Sequence, residues 1–411
     1  MRAAATHNTM NKPFGRAATA KAALLVTGST YVSFFFGLIV SAIIARGVGP
    51  LDFGRYSFVI WVSGIFVLVA NNGLTTTVLR FISESLGKGS TQSASDLHGW
   101  LSRRQHASFL IAVVAFLATI QLTLPPDWKM PATVFVGVIV VSVAAKTYYI
   151  FDISAAKGYG QFVVEAYSTT IMSAINLAAV MALFFFKGPV VAYLILFAIA
   201  NIGYYLIAAR MLRSRNVRAT HQPLDGELSS RIKNHLFWTI LLAVAGTFGN
   251  RAAETYLLSR YAGPAEVGFF AIGAALTRGG VELLAAGLNA VLMPLMAHGF
   301  GEGGSAKVHA ILADSVRFFG FGGLLLAGVG CIWAEVGVFV VYGGEYKEAV
   351  FAFRIMILAA GLTLAQGAFG ALLSTTDNQK IRAGVAFGSV LVSIVAAMLL
   401  VPRFGLTGAV I

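Results

Sequence analysis

The chain has 411 residues, 57% of them apolar, a mean hydropathy of +0.79 and only 11% Asp, Glu, Lys and Arg, against roughly a quarter charged in soluble domains. That composition excludes an ordinary water-soluble protein, and the single cysteine, Cys331, excludes an internal disulfide or a thiolate metal site. The net charge of +13 does not indicate a nucleic-acid partner, because the basic residues are dispersed between apolar blocks, as in loops that face anionic lipid.

A basic tail, residues 1–21, comes first. Charge-free runs then cover 22–45, 56–79, 107–124, 166–186, 188–209, 355–376 and 383–402, each about long enough to cross a ~30 Å hydrocarbon core. Four further spans carry internal charge, at 130–151, 235–259, 268–296 and 318–341, which makes eleven. Residues 404–411 begin another apolar segment, so the C-terminus reads as truncated at the start of a twelfth span. The first block is too long for the apolar part of a secretory signal and counts as a span. Placing the N-terminus in the cytoplasm puts 19 basic residues inside and 8 outside, the sense required by the positive-inside rule.

The chain repeats. ARGVGPLDFGRYSF after the first span superposes without gaps on SRYAGPAEVGFFAI at an offset of 214. Arg46 meets Arg260, Gly49-Pro50 meets Gly263-Pro264, Asp52 meets Glu266, Gly54 meets Gly268, and Tyr56 meets Phe270. Gly188 and Ala192 match Gly405 and Ala409 at an offset near 217. Gly-Pro ends one helix and starts the next. An even number of spans per half keeps both halves in one orientation, so the repeat axis runs along the membrane normal. The expected fold is all-α and polytopic: two six-helix bundles facing each other across a cleft, with about twelve transmembrane helices. The expected units are a six-helix lobe at 22–209, a basic cytoplasmic linker at 210–234 and a second lobe at 235–411.

Intramembrane charges are the strongest functional pointers, because each is costly unless it meets a cavity, water or a partner. Arg251 and Glu254 lie three apart and Arg278 and Glu282 four apart, so each pair shares a helix face. Two readings stay open: ion pairs that neutralise each other, or arginines that meet an anionic substrate group beside a glutamate that exchanges a proton or sodium ion. Lys146 sits inside the fourth span, and Asn71 and Asn72 late in the second. Asp152, Lys157 and Glu165 read as interfacial. SLGKGS around Lys88 lacks the residues of a phosphate loop, and the seven histidines show no metal-ligand spacing. No metal, cofactor or catalytic centre is expected.

The first turn, the following NNGLTTTVLRFISE and the second-half copy resemble the polysaccharide biosynthesis flippases. These export lipid-linked oligosaccharide repeat units, including those of O-antigen and exopolysaccharide, within the multidrug/oligosaccharidyl-lipid/polysaccharide superfamily, whose other branch is MATE-like. The resemblance spans essentially the whole chain. It implies a non-enzymatic exporter of the cytoplasmic (inner) membrane that moves a polyprenyl-pyrophosphate-linked oligosaccharide by alternating access. Polysaccharide polymerase and chain-length machinery are its candidate partners beside the lipid bilayer. Carried onto this sequence, the acidic position before the second Gly-Pro turn is Glu254 and the cationic cavity lining is Arg251 and Arg278; on their own intramembrane positions, Lys146 and Asn72 are further cavity candidates and Glu282 a second ion-coupling candidate. A cation-coupled drug antiporter and a transport-inactive scaffold of a glycan-assembly complex are the alternatives.

Overall fold

With no water in the bilayer core, a chain this apolar must satisfy its backbone N–H and C=O groups within helices. The computed structural model describes residues 16–411 except 88, 126–127, 129, 216, 218, 221, 223, 225, 249–251 and 376–378. At 16–24, 27, 87, 238, 241–248, 252, 282–307, 370–371, 373–375, 379–380 and 382–383 it describes the backbone alone. The described residues form α1 (Arg16–Asn71), α2 (Leu74–Gly87), α3 (Thr91–Ala118), α4 (Ile120–Thr123), α5 (Ala132–Gly158), α6 (Val163–Phe185), α7 (Val190–Ser214), α8 (Gly226–Phe248), α9 (Ala252–Tyr261) and α10 (Pro264–Thr277). A π-helical turn (Arg278–Glu282) leads into α11 (Leu283–Tyr342), a 3-10 turn (Gly344–Tyr346), α12 (Glu348–Thr375), α13 (Gln379–Phe404) and α14 (Leu406–Val410). No strand occurs among the described residues. Seven described stretches are long and apolar enough to cross a membrane, so this is a multi-pass membrane protein.

Two of the helices contain more than one span. α1 is broken at Gly49 (φ 76°, ψ 172°), where Pro50 starts the second arm. A positive φ suits glycine because it has no Cβ to clash. The stretch Leu283–Tyr342, counted as α11, is not a single rod: Gly280, in the π-helical turn just before it, and Gly330 within it both lie against the Ile357 side chain. A straight helix would hold those two positions about 75 Å apart at ~1.5 Å per residue. The chain therefore reverses direction between them, as the expected spans at 268–296 and 318–341 require.

Several expected boundaries move. The span at 56–79 is cut at Asn72 and Gly73, both with positive φ. The span at 107–124 lies in α3 and α4 with a break at Thr119. Arg55, one of the eight basic residues placed outside by the charge rule, is a buried residue of α1 held by Asp52 at 2.7 Å.

The repeat is also visible in three dimensions. Gly263 (φ 100°, ψ 170°) adopts the conformation of Gly49. The second arm of α1 crosses α10 so closely that a Cβ on Gly54 would strike the Pro264 carbonyl, and one on Gly268 would lie 3.2 Å from the Pro50 carbonyl oxygen. Proline faces glycine in both directions, which makes the contact two-fold symmetric about an axis between Gly54 and Gly268. Away from this crossing, α11 and α13 expose Phe321, Ile332, Trp333, Leu391 and Val392, an apolar surface suited to lipid and not to water.

At the opposite end, α2, α3, α5 and α8 share a smaller core around Val78, Phe81, Leu97 and Phe151. His98 is buried beside it between Phe151 and Tyr159, its Nδ1 without a hydrogen-bond partner among the described residues, and burial lowers its pKa to about 4. The unfolded chain then binds a proton that the folded one refuses between about pH 6.5 and 4. Stability should be full above pH 6.5 and fall as the pH drops toward 4. Melting curves of the detergent-solubilised protein should show that slope, and His98→Phe should flatten it.

Candidate functional site

The second arm of α1 and α10 diverge below the glycine crossing and enclose a cavity of about 760 Å³. Five of its lining residues on α1 are Phe53, Tyr56, Ser57, Ile60 and Trp61, and five on α10 are Val267, Phe270, Ala271, Ala274 and Ala275. Each pair is separated by the repeat offset of 214, as are two further lining residues, Ser41 and Thr255. The cavity therefore straddles the pseudo-two-fold axis.

Its two walls differ in chemistry. The α1 wall is bulky and aromatic, extended by Phe34 of the first arm, whereas three of the α10 positions are alanine. Arg278 continues the alanine wall by one turn, is exposed and lines the cavity. It opens the π-helical turn, an irregularity that occurs often at functional sites. The next residue, Gly279, gives Phe34 room to approach: a Cβ there would sit 2.5 Å from the ring.

The other expected residues fall elsewhere. Glu254 lines a separate cavity of about 540 Å³ with Met356, Ser389 and Ser393. Its Oε1 accepts a hydrogen bond from Ser393 Oγ on α13 at 2.9 Å, and its Oε2 has no hydrogen-bond partner among the described residues. Glu254 and Arg278 are thus not brought together. Glu282 ends the π-helical turn, and its side chain, like the whole of Arg251, lies outside the described residues. Asn72 occupies a left-handed break (φ 36°), and its N–H donates to the Leu68 carbonyl at 2.9 Å. Of the residues read as interfacial, Lys157 pairs with Glu165 at 3.1 Å.

Lys146 is half-buried on α5, and its Nζ lies 5.0 Å from the Tyr149 ring and 4.8 Å from the Tyr204 ring. The Tyr204 hydroxyl continues through Ser173 (2.8 Å) to Ser33 of α1 (2.9 Å). The ring faces hold the ammonium by their negative quadrupoles, and among the described residues it has no ion-pair partner. The aromatic wall and this cage were not anticipated. Comparing the residues on either side of the 214 offset beyond the turn would have exposed the first; the second needs helices far apart in sequence.

A membrane protein built of two related helical halves around a central cavity is the class these features define. The chain belongs to the polysaccharide biosynthesis protein family, whose model matches residues 19–300. Its fold is that of solved transporters. An inward-facing multidrug resistance MATE family transporter of the MOP superfamily is similar at a TM-score of 0.75 and 13% identity, with 93% of this chain and 89% of that one covered. The lipid II flippase MurJ in an inward closed conformation gives 0.72 and 12%, covering 94% and 83%. A mutant of the Vibrio cholerae MATE transporter VcmN gives 0.62 and 17%, covering 96% and 92%. No curated protein matches the sequence.

Because an intramembrane ammonium with no ion-pair partner among the described residues is costly, Lys146→Met should keep the volume and stabilise the fold by about 1 kcal/mol, after loss of the cation–π contacts. A rise of a few degrees in the melting temperature would show it; a fall would mean that the cage outweighs the charge.

Proposed function

We propose that this protein is a flippase that carries a polyprenyl-pyrophosphate-linked oligosaccharide across the cytoplasmic membrane, making and breaking no covalent bond. The observation that carries the reading is Arg278, set on the wall of a cavity astride the axis between the two halves. A guanidinium donates paired hydrogen bonds to a pyrophosphate in a fixed fork, which a lysine ammonium does not. The facing aromatic wall of Phe34, Tyr56 and Trp61 offers apolar surface to the first sugars. At about 760 Å³ the cavity has the capacity of a small-ligand site, enough for the charged head and the sugars next to it, while the lipid tail stays in the bilayer.

In this reading residues 22–209 and 235–411 are the two lobes, 210–234 is the cytoplasmic linker, and the N-terminus is inside with the Gly-Pro turns outside. Rocking of the lobes about the cavity exposes it to one face at a time. Arg251 is a second candidate for the anionic head on its sequence alone, as an intramembrane arginine. Lys146 serves the first lobe. Glu254 and Glu282 are the ion-coupling candidates, and the polymerase and chain-length machinery act on the exported unit. The likeness to MATE transporters favours a second reading, a cation-coupled drug antiporter. Against it, the charge that lines the cavity among the described residues is cationic, which repels a lipophilic cation.

Arg278→Ala should abolish export while leaving membrane insertion intact, and Arg278→Lys should restore only part of it. In a strain lacking the gene, complementation read as surface polymer and as the leaflet of the lipid-linked unit checks this. Full export by Arg278→Ala would remove the residue from the site. Unchanged polymer in the deletion strain, with altered sensitivity to cationic drugs, would favour the antiporter, and no change in either a redundant or inactive chain.

A further inference from the structure

The outer end of the cavity is sealed by more than the glycine crossing. The side chain of Arg46, in the first half, donates from Nε to the Val341 carbonyl at 2.9 Å and from its guanidinium to the Val340 carbonyl. Both carbonyls lie in the last turn of α11, where helix geometry provides no intrahelical donor. In the other direction, the buried hydroxyl of Tyr346, in the second half, donates to the Ala45 carbonyl at 2.6 Å, one turn before the break at Gly49. Each half therefore caps a helix end of the other.

The turn that carries Tyr346 completes the match. Gly343 (φ 101°, ψ 170°) repeats the conformation of Gly49 and Gly263, so three turns on this face are built alike. Tyr346 packs edge-on between Phe53 and Phe269, at 6.0 and 6.2 Å between centroids. It thereby touches both helices of the glycine crossing.

We infer that Arg46, Tyr346 and the Gly54–Gly268 crossing form the outer gate of the transport cycle, with Arg46 and Tyr346 as positioning residues that latch it shut. The inference rests on the orientation proposed above. Arg46 neutralises the negative end of α11 with a full charge, and Tyr346 occupies a lone pair on a main-chain oxygen of α1. Neither bond involves a titratable acceptor, so acid or base does not release the latch. It opens when the halves part far enough for water to replace both donors. Substrate need not be touched by either residue for the latch to set how often the outer end is open.

Cysteine accessibility tests this without a transport assay, so its failure and that of the flippase reading are distinguishable. Ser57 lines the cavity beneath the crossing. In a Cys331→Ala background, Ser57→Cys is exposed in intact cells to a membrane-impermeant maleimide added outside. Labelling should be slow in this parent. It should rise about tenfold or more with Arg46→Ala, since a charge-assisted bond is lost, and by a smaller factor with Tyr346→Phe, which removes one oxygen. Gly54→Ala should raise it as well, because its Cβ cannot coexist with the Pro264 carbonyl. Size-exclusion profiles in detergent identify folded variants, and Tyr346→Phe is conservative enough to stand if Gly54→Ala misfolds. Labelling within about twofold of the parent for both Arg46→Ala and Tyr346→Phe would overturn the latch. So would acceleration seen only in inside-out vesicles.

Discussion

The close approach of two backbones at Gly54 and Gly268 is the contact on which the remaining architecture depends. A side chain at either position would push α1 and α10 apart. The turns above would then lose their register, and the cavity below would lose its roof of Phe53, Tyr56, Val267 and Phe270. In lipid there is little hydrophobic force to draw one helix onto another, so contact relies on close packing and hydrogen bonds. Glycine supplies the first. The Gly-Pro turns, by fixing where each helix begins, set the height at which the second arm of α1 and α10 cross.

Symmetry stops at the backbone. The lining positions of α1 and α10 correspond one to one, yet one wall carries aromatic rings and the other carries alanines ending in Arg278. The same divergence appears in the paired acidic residues of the two turns. Asp52 holds Arg55 within its own helix, whereas Glu266 accepts a hydrogen bond from the Leu406 N–H at 2.5 Å and so caps the start of α14. Duplicated positions keep the frame, and their side chains are free to take separate tasks.

Much of this was legible in the sequence because the signals are local. Apolar block length gives the spans, and GVGPLDFG and YAGPAEVG give the repeat and the turn. Arg278 stood out because an arginine flanked by apolar residues has few places to go. What was not legible depends on contacts between distant helices. Arg55 read as a loop charge because the charge-free run begins one residue after it, at Tyr56. Glu254 read as a cavity residue beside the arginines, but its hydrogen bond to Ser393 directs it to α13. Lys146 was recognised as an intramembrane charge, while Tyr149 and Tyr204, which hold it, lie on two helices separated by a third.

The unequal walls also bear on how such a carrier evolves. Aromatic and alanine surfaces are encoded 214 residues apart, in halves that share the closing contacts but not the lining. A mutation at Ala271, Ala274 or Ala275 alters the shape of the hollow without touching Gly54, Gly268 or their prolines. The shape of the hollow and the glycine contact that closes it are therefore encoded at separate positions, so that one can vary while the other is kept.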